Sequence, residues 1–281
     1  RSLWTDAMIR LRRNRAAVTA AAVLAIMTLM VIVGPWFSPY DYDYTHWDMI
    51  LISPDLASGH VFGTDSIGRD IFVRTLYGGR ISLLVGVVAT IVSLVIGIAY
   101  GATAGYFGGR IDHIMMRIVD ILYGMPFMFF VILLMVLFGR NILLIFVAIG
   151  AINWLDMARI VRGQTLSLRE REFVQAAQLM GVSTPRIIFR HIAPNLVGVV
   201  IVYVTLTIPQ AILIESFLSF LGLGIQEPRT SLGKLVNDGT LAMDSAPWML
   251  LMPATLLAAV LLCFNFLGDG LRDVFDSRQS R

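Results

Sequence analysis

The sequence is poor in the residues that build covalent, metal and nucleotide sites. It has one cysteine, Cys263, and four histidines scattered along the chain. A single cysteine excludes an internal disulfide framework, and histidines at these spacings do not form a zinc motif. The GxxxxGK[ST] loop that cradles nucleotide phosphates is also missing. We therefore expect no catalytic, cofactor or metal site in this chain, and no ATP hydrolysis of the P-loop type.

Charge is scarce as well, and it is absent from long runs. Charged residues make up 15% of the chain, hydrophobic residues make up 57%, and mean hydropathy is +0.76. A helix needs about 20 apolar residues to cross the hydrocarbon core. The runs show no polar and apolar alternation, which excludes an outer-membrane barrel. The sequence predicts an all-α, polytopic membrane protein whose six transmembrane helices are centred on the charge-free segments 16–40, 81–109, 121–139, 141–155, 192–214 and 245–268.

The distribution of arginine predicts the orientation of these helices. With the N-terminus in the cytoplasm, 16 of the 22 Lys and Arg lie inside, and this positive-inside bias predicts that both termini are cytoplasmic. The net charge of +3 follows from that orientation and does not indicate a nucleic-acid partner. We expect the chain to be embedded in a lipid bilayer and to have five parts. They are a cytoplasmic N-terminal segment (1–15), a first span (16–37), an outer loop (38–80), a five-helix core (81–268) and a cytoplasmic C-terminal tail (269–281). Because the chain begins with Arg1 rather than Met, we expect the natural N-terminus to precede it.

Three glycines in the second span occur at every fourth position. Gly97, Gly101 and Gly105 lie on one helix face, and a face without side chains lets another backbone approach closely. The stripe is interpreted either as packing within the chain or as packing against a partner subunit at a pore. The sequence alone does not choose between them.

Three acids lie at or inside the ends of the spans, and such acids are candidates for a proton or ion path. Asp120 is one turn from Arg117 and Asp156 is one turn from Arg159, so we expect each to form a local ion pair. Glu215 falls near the outer end of its span. These positions favour structural roles, so a secondary transporter is the weaker interpretation.

The longest break between spans, residues 156–196, is patterned rather than featureless. From Glu172 onward, apolar residues recur at helical spacing on one face: Phe173, Ala176, Ala177 and Met180. Gly181 permits the left-handed exit that ends a helix, and Ser183 or Thr184 precedes Pro185 as the start of a second one. The pattern predicts two short amphipathic helices joined at Gly181 and ended by Pro194.

The two predicted helices also carry charges that suit a partner protein. Arg186 and Arg190 supply positive surface charge on the second helix for a partner with acidic groups. We therefore expect this cytoplasmic loop to be gripped by another subunit.

At these residues the chain resembles a known family. Permease subunits of ABC importers carry the pattern Glu-Ala-Ala, three residues, Gly, nine residues, Ile, one residue, Leu-Pro, and this chain matches it at Ala176, Ala177, Gly181 and Pro194. It departs at Gln175, where the family has Glu, and also at His191 and Ala193. Gln175 keeps the length of the side chain and loses the charge, so a role that needs a carboxylate there is in doubt.

Further blocks extend the resemblance over nearly the whole chain. They are similar to binding-protein-dependent permeases of the peptide/nickel type, closest to the subfamily that forms the C component of oligopeptide importers. The blocks are FGTDSIGRDIFVRTLYGGRISL (62–83), GYFGGRIDHIMMRIVDI (105–121), WLDMARIVRGQTLSLREREFVQAA (154–177), ESFLSFLGLGIQEP (215–228) and FLGDGLRD (266–273).

The resemblance implies a set of partners and a function. The expected partners are a second permease subunit in a heterodimer, two cytoplasmic ATPase subunits that bind ATP and Mg, and an external peptide-binding protein, in a bacterial inner membrane. It implies half of a translocation pathway for oligopeptides, with residues 170–194 coupling it to the ATPases. Dipeptides, nickel or another small solute are the alternative substrates within the family.

Overall fold

A computed structural model describes residues 3–139 and 141–275 of the chain. Within those ranges the protein is helical, without a β-strand, which confirms the all-α class. The helices are α1 (Leu3–Arg13), α2 (Arg15–Val33), α3 (Ile71–Phe107), α4 (Gly109–Gly124), α5 (Phe127–Phe138), α6 (Ile142–Arg169), α7 (Glu172–Leu179), α8 (Thr184–Ile187), α9 (Ala193–Phe220), α10 (Leu232–Leu241) and α11 (Trp248–Phe275).

Five continuous helical stretches are long and apolar enough to cross a membrane. They are Arg15–Phe37, Ile71–Phe107, Leu143–Arg169, Thr184–Phe220 and Trp248–Phe275. A sixth span results if the bent pair α4 and α5 is counted as one. The polytopic fold is therefore confirmed, with one of its spans broken.

The break in the third span corrects the prediction of one helix over residues 121–139. The segments Gly109–Gly124 and Phe129–Phe138 are inclined to each other by 83°. Met125 is extended, with φ −78° and ψ 133°, because a residue before proline is disfavoured in the α region. Pro126, which itself lacks an N–H donor, therefore separates two helices rather than kinking one.

Two predicted boundaries were wrong because helices continue past their apolar segments. The helix α3 begins at Ile71, so the last ten residues of the predicted outer loop 38–80 are helical. The helix α6 continues to Arg169, so the predicted loop 156–196 is helical over its first 14 residues. Arg80 and Asp156 bound the two apolar runs, but a charged residue does not end a helix, and neither helix is interrupted there. In the predicted tail 269–281, α11 extends to Phe275, and residues 276–281 lie outside the described part.

The glycine stripe of α3 packs against α6 within this chain. A Cβ at Gly97 would lie 2.5 Å from the Cβ of Met157, and one at Gly105 would lie 2.8 Å from the carbonyl oxygen of Arg162. Gly101 faces the carbonyl oxygen of Ala158 at still closer range. The stripe therefore joins α3 to α6 and is used within this chain.

Replacement of Gly101 by alanine is expected to lower the thermal stability of the purified protein markedly. The added Cβ would force the backbones of α3 and α6 apart, and overpacking of this kind costs about 1–3 kcal/mol. Gly163→Ala in α6 is the matched control, because nothing lies within 4 Å of its Cβ position. Equal melting temperatures for the two variants in detergent would contradict this prediction.

The two ends of α3 contact different parts of the chain. The 37 residues of α3 span about 55 Å. At its start, Ile71 packs with Ala246 and Met249. Near its other end, Ala102 packs with residues of α7 and α8. The outer segment and the predicted coupling loop are therefore on opposite sides of the helical bundle.

Candidate functional site

The helix α7 ends in a complete Schellman motif centred on Gly181. Gly181 has φ +74°, its N–H donates to the carbonyl of Gln178 at 3.0 Å, and the N–H of Val182 donates to the carbonyl of Ala177 at 3.1 Å. This left-handed conformation favours glycine strongly. The predicted left-handed exit at Gly181 is thus present, and it fixes the angle between α7 and the following helix.

The buried face of α7 differs from the predicted one. Val174 and Ala177 are fully buried and pack against Ile187 and Ile192. Phe173, Ala176 and Met180, which were predicted to share one apolar face with Ala177, are exposed instead. The short helix has apolar residues on both sides, and periodicity alone could not tell which side its own chain covers.

Polar contacts attach α7 and the end of α6 to the end of α3. The amide nitrogen of Gln178 donates to the hydroxyl of Tyr106 at 3.1 Å, and Arg169 donates to the backbone carbonyl of Tyr106 at 3.2 Å. Gln175 is exposed, and its amide donates to the carbonyl of Glu170 at 3.3 Å. Gln175 therefore has a local use that a carboxylate could not reproduce, since the bond requires a donor.

The second predicted helix is not a separate unit ended by Pro194, so that expectation was wrong. The helix α8 begins after Ser183 and passes through a π-helical turn, Ile188–Ile192, directly into α9. Pro194 lies in the first turn of α9, where its missing N–H is tolerated because the widened turn has already displaced the regular hydrogen bonds. A motion of α8 is therefore carried into a membrane span without a flexible joint.

The exposed residues of α7 and of the helical turns that follow it are here called the docking face. Leu179 and Met180 are 90% and 76% exposed, Phe189 is 72% exposed, and Phe173 is half-exposed. Of the other predicted site residues, Glu172 lies in the first turn of α7, and Ala176, Arg186, Arg190 and Pro194 are exposed. Clustered apolar residues rimmed by charge mark an interaction site. Leu179 and Phe189 were missed by sequence reasoning because neither belongs to the family pattern or to the predicted stripe.

A second cluster, here called the outer ion cluster after the predicted outer loop, lies at the N-terminal end of α3 and joins two of the sequence blocks. Arg69 is ion-paired with Asp65 at 2.7 Å and also with Glu227. Arg74 is fully buried and lies 3.6 Å from Asp65 and 3.5 Å from Glu227. One nitrogen of Arg74 donates to the carbonyl of Tyr42 at 3.1 Å, while its Nε and Nη2 make no hydrogen bond.

In this outer ion cluster, hydrogen bonds counteract the effect of burial on Arg69. Desolvation would lower the pKa of the Arg69 guanidinium, but hydrogen bonds to Glu227 and Asp65 raise its pKa above the usual value. The blocks 62–83 and 215–228 are therefore held together by charge at the outer end, a contact that neither block predicts alone.

Glu215 holds the same two blocks together by hydrogen bonding. It is fully buried and accepts from Ser219 at 2.7 Å and from Ser82 at 3.5 Å. Ser82 in turn accepts from the N–H of Leu232 at 3.0 Å. Glu215 thus connects α9, α3 and the start of α10.

Neither of the two other acids forms the ion pair that was predicted for it. Asp120 pairs with Arg159 at 2.9 Å rather than with Arg117. Arg159 is therefore engaged across helices, and Asp156 has no ion pair in the described part of the chain. Asp112 and Arg162 form a further pair between α4 and α6.

Comparison with known proteins identifies the class of transporter. Residues 93–281 match the family described as binding-protein-dependent transport system inner membrane component, and residues 2–54 match the N-terminal TM domain of oligopeptide transport permease C. The chain belongs to the family of binding-protein-dependent transport permeases.

The relatives cover almost the whole chain. The oligopeptide transport system permease protein OppC of Escherichia coli strain K12 is 58% identical over 99% of this chain and 92% of its own length. The protein of the same name from Haemophilus influenzae is 55% identical over 99% and 89%. The dipeptide transport system permease protein DppC of Bacillus subtilis is 46% identical over 100% and 87%. The resemblance to the C component of oligopeptide permeases is confirmed.

Family membership makes this chain a membrane-embedded permease subunit of an importer that has other subunits. It is not itself the catalytic component of that importer.

Proposed function

We propose that this chain forms half of an ATP-driven translocation pathway for oligopeptides. The observation that carries the proposal is the docking face, an apolar and arginine-rimmed surface that is uncovered while the opposite side of α7 is buried. Such a face suits a groove on a cytoplasmic ATPase. The proposed partners are two ATPases that bind ATP and Mg, a second permease in a heterodimer and an external peptide-binding protein.

The contacts around α7 suggest how force reaches the membrane spans. Val174 and Ala177 pack on α8, which continues into α9, and Gln178 holds the end of α3 through Tyr106. A displacement of the docking face would move α9 and α3 together. We propose that closure of an ATPase dimer shifts the spans in this way between inward-open and outward-open arrangements.

The dipeptide relative supports a second candidate within the same class. A permease for dipeptides in Bacillus subtilis is 46% identical to this chain, so peptide length is a separate question from transport class. Uptake of labelled peptides of two to six residues by one reconstituted assembly distinguishes the two candidates.

Dependence on partners is the direct test of the proposed function. The chain alone in liposomes should neither hydrolyse ATP nor accumulate peptide, whereas addition of a sister permease, two ATPases and a peptide-binding protein should produce both activities. The measurement is ATP-dependent uptake of a radiolabelled peptide. Uptake by the single subunit at the rate of the assembly would overturn the proposal.

The orientation follows from the arginine distribution and supports a bacterial inner-membrane location with cytoplasmic termini. A reporter fused after Arg281 and another inserted near Ser58 should report opposite sides of the membrane. Ser58 lies in an exposed turn of the outer segment, where an insertion is tolerated best. If both reporters give the same side, this arrangement of spans is wrong.

A further inference from the structure

A polar groove lies between α6 and α9. One cavity of about 400 Å³ is bordered by residues that include Asn153, Asp156, Thr207 and Gln210. A second, of about 390 Å³, continues it towards Gln164 and Arg272. The two share Ile160, Tyr203 and Leu206, so they form one continuous depression that runs along α6 towards its C-terminal end.

The groove contains polar groups that lack a hydrogen bond or an ion pair within the described part of the chain. Asn153 is 8% exposed, and its Nδ2 has no hydrogen-bond partner. Asp156 is exposed and makes no ion pair among the described residues. Buried polar groups without partners and acids within membrane helices are costly, and they usually face water or a ligand. The groove is therefore suited to a polar occupant.

Neighbouring charges do not neutralise Asp156. Arg159, on the same helix, is engaged by Asp120, and Arg162 is engaged by Asp112. The groove consequently keeps one carboxylate without an ion pair beside amide and hydroxyl groups, and its lining also includes Arg159 and Arg272. Lipid chains would leave the Nδ2 of Asn153 and the carboxylate of Asp156 without a polar partner.

We propose that this groove is the wall of the solute pathway in this chain and that it binds an extended peptide, an inference that rests on the proposed function. The side-chain amides of Asn153 and Gln210 pair with peptide N–H and C=O groups, since an amide both donates and accepts. Asp156 attracts a cationic group of the peptide. The α6 positions from 153 to 164 cover about 16 Å, the length of about five extended residues.

The first test removes the charge of Asp156 without changing its size. In the reconstituted assembly, Asp156→Asn should reduce uptake of peptides with a free ammonium or a lysine by about twofold to fivefold, as expected for a partly exposed ion pair. Uptake of N-acetylated peptides without basic side chains should be unchanged. Two further sets of peptides identify the cation that Asp156 attracts. One set has an acetylated N-terminus and an unmodified lysine, and the other has a free N-terminal ammonium and no lysine.

Asp269→Asn is the matched control, because Asp269 is an exposed acid on a membrane-spanning helix outside the groove. It should leave uptake of every peptide unchanged. Equal effects of Asp156→Asn on cationic and neutral peptides, or no effect on either, would remove the assigned role of Asp156.

The second test asks whether water and peptide reach the groove. After Cys263→Ala, a single cysteine at Gln210 should react with a membrane-impermeant thiol reagent in at least one nucleotide state, and peptide should slow that reaction. A cysteine at Val95, which is 63% exposed on α3, should stay unreactive because it faces lipid or a partner subunit.

The outcomes separate this inference from the proposed function. Wild-type uptake together with an unreactive cysteine at Gln210 would show that the groove is closed by lipid or by the second permease, and would overturn the inference alone. Absence of peptide uptake by the wild-type assembly would overturn the proposed function, while the cysteine at Gln210 would still report access of water.

Discussion

Replacement of Gly181 by valine is expected to uncouple peptide uptake from ATP hydrolysis in the reconstituted importer. At φ +74° a non-glycine residue costs about 1–3 kcal/mol, and a β-branched residue lies at the upper end. The Cβ itself would meet no atom within 4 Å, so the cost is conformational rather than steric. Relief of this strain would break the two Schellman hydrogen bonds and rotate α7 away from the proposed groove on the ATPase.

The size of the effect follows from the strain. If the docked arrangement of α7 is destabilised by about 1.4–3 kcal/mol, uptake falls tenfold or more. The measurements are peptide uptake and peptide-stimulated ATPase activity, with membrane insertion of the variant checked separately.

Two controls distinguish backbone strain from loss of a side-chain contact. Gly181→Asn should retain most of the uptake, because asparagine adopts the left-handed conformation at modest cost. Gln175→Ala removes only one exposed hydrogen bond of 3.3 Å and should be milder than Gly181→Val. Gln175→Glu should also be tolerated, since it restores the family residue at the cost of that same bond. Wild-type uptake by a well-inserted Gly181→Val assembly would indicate that the loop is a passive connector.

The features that sequence predicted well depend on backbone chemistry at single positions. Gly181 was identified because few residues other than glycine end a helix with positive φ, and the stripe from Gly97 to Gly105 was identified because its spacing is helical. The type of fold followed from charge-free runs, which only membrane helices explain in this pattern.

The features that sequence missed depend on contacts between distant segments. The predicted loop 156–196 was too long because the span was ended at the first charged residue, Asp156, although α6 continues to Arg169. Within this continuation Arg159 and Arg162 are each paired with an acid on α4. The side of α7 that is buried depends on α8, which cannot be placed from the helix's own periodicity. The outer ion cluster joins residues 158 positions apart, a separation at which local patterns carry no information.

The outer ion cluster gives the largest expected effect on stability. Arg74→Met removes the buried guanidinium while keeping most of its length, and it leaves Asp65 and Glu227 with a single cationic partner, Arg69. The carbonyl of Tyr42 loses its charged donor, and loss of a hydrogen bond to a charged group costs about 1.5–3 kcal/mol. We expect a much lower apparent melting temperature in detergent and a reduced yield of monodisperse protein.

Arg80→Met provides the matched control on the same helix. Arg80 is exposed and forms no ion pair in the described part of the chain, so its replacement should change the melting temperature little. The double variant Arg74→Met with Glu227→Gln should be destabilised by less than the sum of the two single variants' losses. The reason is that Glu227 has already lost its ion pair with Arg74 when Arg74 is replaced. Additive effects, or a wild-type melting temperature for Arg74→Met, would show that the outer ion cluster does not hold the blocks 62–83 and 215–228 together. In that case Glu215 and its serine partners would keep α10 in place.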